Sequence, residues 1–189
     1  MSVKVEKRKS QCRAAKSRPG PPNAAFGGPG RDFAACHCDF LFSTFTDIED
    51  GRKHLADIRA RAEAAQRAVG AYTVCHVVCR ETQAEAEDAY DRYALREADH
   101  AAVDNHMAGK KQFSQSHDER AYREYRQRFA GGAGTYPLVG TPERIAETIV
   151  EIASEGWSGA ALSFLSYTAE MPFFMAKVFP LLREASLKA

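Results

Sequence analysis

The sequence contains no long hydrophobic run, and this absence limits where the protein can reside. A membrane-spanning helix needs about 20 consecutive apolar residues, and no stretch of the chain approaches that length. The amino-terminal residues also lack the apolar core of a signal peptide. We therefore predict no membrane association and a cytoplasmic location.

An excess of charge of either sign is also missing. The 26 Lys and Arg residues balance 25 Asp and Glu residues, which gives a formal net charge of +1. Because proteins that bind nucleic acid usually present a basic surface, we predict no nucleic-acid partner. The 189 residues, 44% of them hydrophobic, are sufficient for one domain with a substantial core.

Cysteine is sparse and follows no disulfide framework. The chain has five cysteines, and an odd number is typical of a reducing compartment. Cys36 and Cys38 flank a histidine, while Cys75 and Cys79 lie in a later apolar run. Because this spacing matches no established zinc-ligand pattern, we interpret these residues as small core side chains and predict no metal site.

The amino-terminal segment differs from the rest of the chain. Positions 1–18 contain seven Lys or Arg residues and a single Glu, and proline and glycine follow. Untethered termini of this composition are commonly disordered. We therefore predict a disordered basic arm at residues 1–21 and a folded unit at residues 22–189.

From residue 31 onward, helical patterns alternate with short apolar runs. The runs DFLFSTF, AYTVCHVVC and GAALSFL have the length of strands. AYTVCHVVC is apolar on both faces, as expected in a parallel sheet that is covered on both sides. The alternation indicates right-handed βαβ units. It predicts an α/β fold with three to four parallel strands and covering helices, and PPNAAF is the candidate fourth strand.

Three of the helices begin at recognisable capping signatures. Two threonine–glutamate pairs fit the capping box: Thr46 with Glu49, and Thr82 with Glu85. At a third start, Thr141 precedes Pro142, a residue suited to the first helical position. Residues 104–130, between the second and third starts, are polar and aromatic, and we predict a helical insertion there.

A glycine-rich stretch, GGAGTYPLVG, precedes the helix that begins at Thr141. Glycine gives the backbone freedom at no steric cost, and such freedom suits the hinge of a loop that closes over a site. The same composition is also typical of a plain connecting loop. The sequence leaves these two interpretations open.

Four segments together resemble a known family: NAAFGGPGRDFAACHCDFLF, HVVCRETQAEAE, GGAGTYPLVGTPERIAETI and FPLLRE. Their order and spacing are similar to the C-terminal half of the bacterial-luciferase-like flavin monooxygenases, in the branch with alkanesulfonate monooxygenase and the pyrimidine-opening oxygenase. The resemblance runs from about residue 22 to the C terminus. It implies part of a (β/α) TIM-type barrel, reduced FMN supplied by a partner flavin reductase, and O2 as co-substrate with a small organic molecule.

The resemblance also implies roles for individual residues. His76 matches a histidine that lines the active site, which implies a catalytic role, and a buried histidine satisfied by a backbone carbonyl is the alternative. Gly27 matches a residue that contacts the flavin phosphate, and the neighbouring Gly28 and Gly30 are further predicted FMN contacts. The predicted substrate lid consists of Arg128, Gly131, Gly132 and Gly134.

The sequence departs from the family pattern at several places. Gly27 lacks the hydroxyl that is usual there, and Ala130 and Val74 stand where the alkanesulfonate branch has arginines. The first half of the barrel has no counterpart in this chain. A second hypothesis is therefore a non-catalytic barrel fragment with a structural role. Because an open half-barrel exposes strand edges, we also predict a homo-oligomer.

Overall fold

The structure, a computed structural model, describes residues 21–25, 27–113 and 119–185. Strands and helices alternate along these ranges, except that four helical segments follow one another between residues 83 and 132. In chain order the elements are β1 (Pro22–Ala24), α1 (Gly28–His37), β2 (Phe40–Phe42), α2 (Ile48–Ala64), β3 (Gly70–Cys79), α3 (Gln83–Asp91), a π-helical turn (Arg92–Arg96), α4 (His100–Phe113), α5 (Glu119–Gly132), β4 (Tyr136–Gly140), α6 (Pro142–Ser154), β5 (Gly159–Ser163) and α7 (Tyr167–Glu184). The predicted basic arm lies outside the described residues except for its last position.

Within the described ranges, five strands form one parallel sheet around β3. β1 pairs with β2, and β2 pairs with residues 70–72 of β3. β4 pairs with residues 75–79 of β3, and β5 pairs with residues 72–76. Tyr72 is paired with both β2 and β5, and His76 with both β4 and β5. Because a strand has two edges, β2 and β4 lie one after the other along one edge of β3, and β5 lies along the other.

The parallel sheet confirms the predicted fold class, but the sequence analysis missed one strand. β1 corresponds to PPNAAF, the candidate fourth strand. β4 was not predicted, because its five residues include Pro137 and follow a glycine-rich turn. Proline is confined to strands with an unpaired edge. β4 satisfies that condition, since among the described strands it pairs with β3 alone.

The two faces of the sheet have different neighbours. Positions 71, 75, 77 and 79 of β3 belong to the main buried cluster, which residues of α1, α2, α6 and α7 complete. The side chains at positions 72, 74, 76 and 78 alternate with these and therefore point to the opposite face. On that face, the ring of Tyr72 contacts the rings of Phe40 and Phe42. His76 thus lies on the face of the sheet opposite the buried cluster that α1, α2, α6 and α7 complete.

Two of the three predicted helix starts are confirmed. The Thr82 side chain accepts a hydrogen bond from the Glu85 amide, and the Glu85 carboxylate accepts one from the Thr82 amide. Thr141 accepts a hydrogen bond from the Arg144 amide, and Pro142 is the first residue of α6. These short-range signals hold because capping depends on residues that are near one another in sequence.

The predicted capping box at Thr46 and Glu49 is wrong. Asp47 is the N-cap residue of α2, and its carboxylate accepts a hydrogen bond from the Asp50 amide at 2.8 Å. The amide and hydroxyl of Thr46 instead donate to the Asp50 carboxylate. Asp and Thr are both good N-cap residues, so the sequence offered adjacent candidates and the later one begins the helix.

The predicted insertion at residues 104–130 consists largely of the helices α4 and α5. α4 begins before it, at His100, and α5 continues beyond it to Gly132. α5 packs against β4 and against the π-helical turn, so it is attached to the sheet. No helix in the described ranges is both long and apolar enough to cross a membrane.

Candidate functional site

His76 lies near the carboxyl end of β3, and only 5% of it is exposed. Its Nε2 atom is 2.6 Å from the hydroxyl oxygen of Tyr93, and its Nδ1 atom is 3.3 Å from Oγ of Ser163. Ser163 is the residue of β5 that pairs directly with His76, and Tyr93 belongs to the π-helical turn. Two side chains therefore satisfy the imidazole, whereas the sequence analysis considered a backbone carbonyl.

The adjacent glycines of the predicted lid pack against this site. Gly131 and Gly132 are the last two residues of α5, so their predicted position in a loop is wrong. A β-carbon on Gly132 would lie 2.7 Å from Cγ of His76. A β-carbon on Gly131 would lie 2.5 Å from the hydroxyl oxygen of Tyr90. Here glycine permits close approach of a helix to the rings of His76 and Tyr90, and no unusual backbone angle is required.

The turn after α5 does require a special backbone conformation. Gly134 has a φ angle of 81°, in the left-handed region that favours glycine. A β-carbon there would lie 2.5 Å from Cε2 of Tyr125. A lid movement of the segment from Gly131 to Gly134 stays a prediction.

Arg128, the other predicted lid residue, is bound to the loop between β2 and α2. Its Nη1 donates to the carbonyl oxygen of Phe45 at 2.8 Å, and its Nη2 donates to the carbonyl oxygen of Thr46. Its guanidinium carbon also lies 5.5 Å from the ring centre of Tyr136, in β4. Arg128 therefore joins α5 to the loop that follows β2 and to β4. This position indicates a structural role, and a role in substrate binding stays a prediction.

The predicted FMN contacts form the amino terminus of α1, which follows β1. Gly27 is the N-cap residue and has no side chain that could cap the helix, and the first turn contains no acidic residue. Among the residues that the structure describes, no side chain accepts from the amides of Gly28 and Gly30, and such a helix end favours an anion. A β-carbon on Gly30 would lie 2.9 Å from Cβ of Ala25, so this glycine lets α1 pack closely against the segment after β1.

The strand register separates the α1 glycines from His76. Ala24, at the end of β1, is level with Phe42 and Tyr72. The strand β3, which carries His76, is two strands from β1, or roughly 10 Å at about 4.8 Å per strand. The structure therefore groups His76 with the glycines of α5 and keeps the glycines of α1 apart. Only an extended ligand lying across β2 could contact both groups.

Two residues were not predicted from the sequence: one contacts His76, and the other lies beside the amino terminus of α1. Tyr93 lies 17 residues after His76 and belongs to no motif. Arg61 falls on the polar side of the α2 pattern, which is typical of a solvent-exposed residue. In the structure, Nη1 of Arg61 donates to the carbonyl oxygen of Gly28 at 3.4 Å, beside the amino terminus of α1. Arg61 also forms ion pairs with Asp57 and Asp32, which offset its charge.

The buried thiols near His76 are poor nucleophiles and poor metal ligands. Burial raises the pKa of the Cys75 thiol to about 12 and that of the Cys79 thiol to about 11. Because the thiolate is the reactive form, both groups are inert near neutral pH. Among the residues that the structure describes, no three His, Cys, Asp or Glu side chains are grouped so that they could hold a metal ion.

Beside Tyr93 lies a cavity of about 500 Å³, between the π-helical turn, α4 and the end of α5. On its wall the rings of His106 and Phe129 are stacked, with 3.9 Å between their centres. The residues lining the cavity include Tyr93 and Ala130 but not His76. Tyr93 therefore contacts the imidazole and also borders the cavity.

Two histidines, the buried His76 and the half-buried His54, make the stability of the fold depend on pH. Burial lowers the pKa of His76 below 6.5, and the charge of Glu170 opposes this effect. Burial also lowers the pKa of His54, against the charge of Asp50. In the pH range between 6.5 and these lower values, the unfolded chain binds protons that the folded chain does not bind. Stability therefore decreases as the pH falls through that range.

We expect urea denaturation to give a lower free energy of unfolding at about pH 5.5 than at about pH 7.5. The expected slope is at most about 1.4 kcal/mol per pH unit for each of the two histidines. The variants His54→Gln and His76→Gln should each show a smaller slope than the wild-type chain. Slopes equal to that of the wild-type chain in both variants would contradict this assignment.

The chain is similar to known proteins in sequence and in fold. Residues 5–159 match the luciferase-like monooxygenase family. Over 179 residues, the chain is 31% identical to the FMNH2-dependent dimethylsulfone monooxygenase of Pseudomonas fluorescens (strain Pf0-1), and the match covers 90% of this chain and 49% of that protein.

Solved structures share the fold. DmoA from Hyphomicrobium sulfonivorans matches with a TM-score of 0.72 and 20% identity, over 89% of this chain and 42% of that one. Riboflavin lyase (RcaE), solved with modified FMN and riboflavin, matches with a TM-score of 0.72 and 23% identity, over 89% and 43% of the two chains. The chain thus spans about half the length of the relatives that it matches, as the partial barrel predicts. From the family match over residues 5–159, together with the parallel sheet, it follows that this chain belongs to the luciferase-like monooxygenase family.

Proposed function

We propose that the chain is part of an FMN-dependent monooxygenase, which oxidises a small organic substrate with O2 and reduced flavin supplied by a partner reductase. The observation that carries this proposal is the 31% identity, over 90% of this chain, to an FMNH2-dependent dimethylsulfone monooxygenase. A small sulfone is accordingly the first substrate class to assay.

The amino terminus of α1 fits the phosphate of FMN. In the described part of the chain, no side chain caps the amides of Gly28 and Gly30, and a β-carbon on Gly27 would meet no atom within 4 Å. An anion there would accept hydrogen bonds from the backbone and would be favoured by the helix dipole. Because these hydrogen bonds would come from backbone amides, the phosphate would not need the hydroxyl that Gly27 lacks.

Reduced FMN would supply the electrons and the activation of O2. The residues of this chain would bind and orient the flavin and the substrate. A flavin whose phosphate lies at α1 would extend across β2 toward the face of β3 that carries His76. There, close packing by α5 and Tyr93 keeps water from the imidazole, which is 5% exposed.

Flavin binding is the first property to test, because the chain spans only 49% of the relative's length. We expect the purified chain to quench FMN fluorescence on binding, and the variant Gly27→Asp to bind FMN at least about tenfold more weakly, a loss of about 1.4 kcal/mol. The new carboxylate would cap α1 and repel the phosphate. Riboflavin, which has no phosphate, should bind both proteins equally.

The matched control is Gly27→Ala, which adds a β-carbon in open space and no charge. It should bind FMN like the wild-type chain. Equal FMN affinity of the Asp variant and the wild-type chain would place the phosphate elsewhere. If the wild-type chain binds neither flavin, the result favours the second hypothesis, a structural barrel fragment. Homo-oligomerisation and a cytoplasmic location stay predictions.

A further inference from the structure

One placement of the protons makes hydrogen bonds of all three contacts around His76 and Ser163. In it, the hydroxyl of Ser163 donates to the carbonyl oxygen of Cys75 at 3.3 Å. Because a hydroxyl has a single proton, its oxygen then accepts toward His76. Nδ1 of His76, 3.3 Å away, carries the proton of that second bond. In a neutral imidazole, Nε2 is then the acceptor, and the hydroxyl of Tyr93 at 2.6 Å is its donor.

The surroundings of His76 favour the neutral imidazole. Burial is the largest influence on its pKa and lowers it. Glu170, from α7, acts in the opposite direction, but this carboxylate is ion-paired with Arg80 at 2.8 Å. Tyr90 lies beyond Tyr93, and burial raises the pKa of both phenols, so each stays uncharged near neutral pH. A neutral acceptor at Nε2 and a neutral donor at Tyr93 are therefore consistent with each other.

Tyr93 also stands between His76 and the cavity beside α4. The cavity is lined by Tyr93 and not by His76. The π-helical turn Arg92–Arg96 sets the position of Tyr93, and π-helical turns within helices are frequent at functional sites. A ligand in the cavity that contacted Tyr93 would thus influence His76 through this side chain.

We propose that Tyr93 is a positioning residue of the site. Its hydroxyl donates to Nε2 of His76, holds the imidazole in the Nδ1–H tautomer and connects it to the cavity. The tautomer is inferred from the hydrogen-bond distances around His76, and it does not depend on the proposed function. His76 is then held in one orientation, because Nδ1 donates to Ser163 and Nε2 accepts from Tyr93.

Nitrogen-15 NMR of the histidine side chains in the full-length chain tests this proposal. The His76→Gln variant assigns the resonances of His76 among the six histidines. In the wild-type chain, we expect a protonated, pyrrole-type Nδ1 and an unprotonated, pyridine-type Nε2. In Tyr93→Phe, the donor to Nε2 is lost, so the preference for the Nδ1–H form should decrease and the Nε2 resonance should shift.

Tyr90→Phe is the matched control. Tyr90 is a buried phenol whose ring contacts the ring of Tyr93, and the nitrogens of His76 bond instead to Tyr93 and Ser163. This variant should keep the wild-type His76 spectrum. A protonated Nε2 in the wild-type chain would overturn the proposal, even if Tyr93→Phe failed to fold. An unchanged His76 spectrum in a folded Tyr93→Phe chain would also overturn it.

An FMN titration of the same samples separates this proposal from the proposed function. Absence of flavin binding in every protein counts against the proposed function, while the tautomer in the wild-type spectrum still decides the role of Tyr93.

Discussion

The Gly132→Ala variant is expected to lose about 2 kcal/mol of unfolding free energy, because overpacking a close contact typically costs about 1–3 kcal/mol. The new β-carbon would lie 2.7 Å from Cγ and 2.8 Å from Cβ of His76. Cγ belongs to the buried ring and Cβ joins that ring to the backbone. Ser163 and Tyr93 hold the ring, so it cannot move without breaking a hydrogen bond. Urea denaturation monitored by circular dichroism measures the change.

Gly109→Ala is the matched control for this substitution. Gly109 lies inside α4, and a β-carbon there would meet no atom within 4 Å. Alanine should stabilise this helix by up to about 1 kcal/mol, since it is the better helix former. The two Gly→Ala changes are therefore expected to have opposite signs. A stabilising effect at Gly132 would mean that close packing is not the reason for glycine there, and the predicted hinge would regain support.

Replacing Arg128 by methionine is expected to lower the free energy of unfolding by about 2 kcal/mol, since a hydrogen bond to a charged group contributes about 1.5–3 kcal/mol. The variant keeps most of the aliphatic length but loses the donors to the carbonyl oxygens of Phe45 and Thr46. It also loses the contact of the guanidinium with the ring of Tyr136. Water can reach these half-buried groups, so we expect less than the sum of both bonds.

Arg123→Met is the control for Arg128, because Arg123 lies on the same helix and is exposed. It should change stability by less than about 0.5 kcal/mol. The comparison distinguishes two roles of Arg128. A residue that acts only in a mobile lid would leave stability unchanged, whereas one that ties α5 to the β2–α2 loop would not. Equal stability of both variants would therefore exclude the structural role.

Local sequence signals determined much of the fold. The alternation of apolar runs and amphipathic helices established the parallel α/β architecture, and the caps at Thr82 and Thr141 established two helix starts. These signals are reliable because they depend on residues only a few positions apart. They were weakest where either of two adjacent residues could be the N-cap of a helix, as at Thr46 and Asp47. They were also weak where a strand contained proline, as in β4.

The sequence alone also led to the family, through four segments whose order and spacing resemble it, and to His76 as a candidate site residue. The tertiary structure decided which side chains surround that histidine. Ser163 is 87 residues away from it along the chain. The residue pattern within one strand cannot predict a contact between residues so far apart. The same limit applies to Arg61, which a pattern confined to α2 assigns to solvent but which the fold places beside Gly28.

The glycines of α5 show most clearly what the sequence determined and what the tertiary structure decided. Composition determined that residues 131–134 are glycine-rich, and it left both interpretations open, a lid hinge and a plain connecting loop. The fold decided that Gly131 and Gly132 end a helix which packs directly on Tyr90 and His76. Periodicity within a segment determines which of its positions are buried, but a contact between distant segments depends on how the whole chain packs. The sequence by itself therefore determined the elements and the family, and the packing of α5 and the π-helical turn onto β3 decided the site.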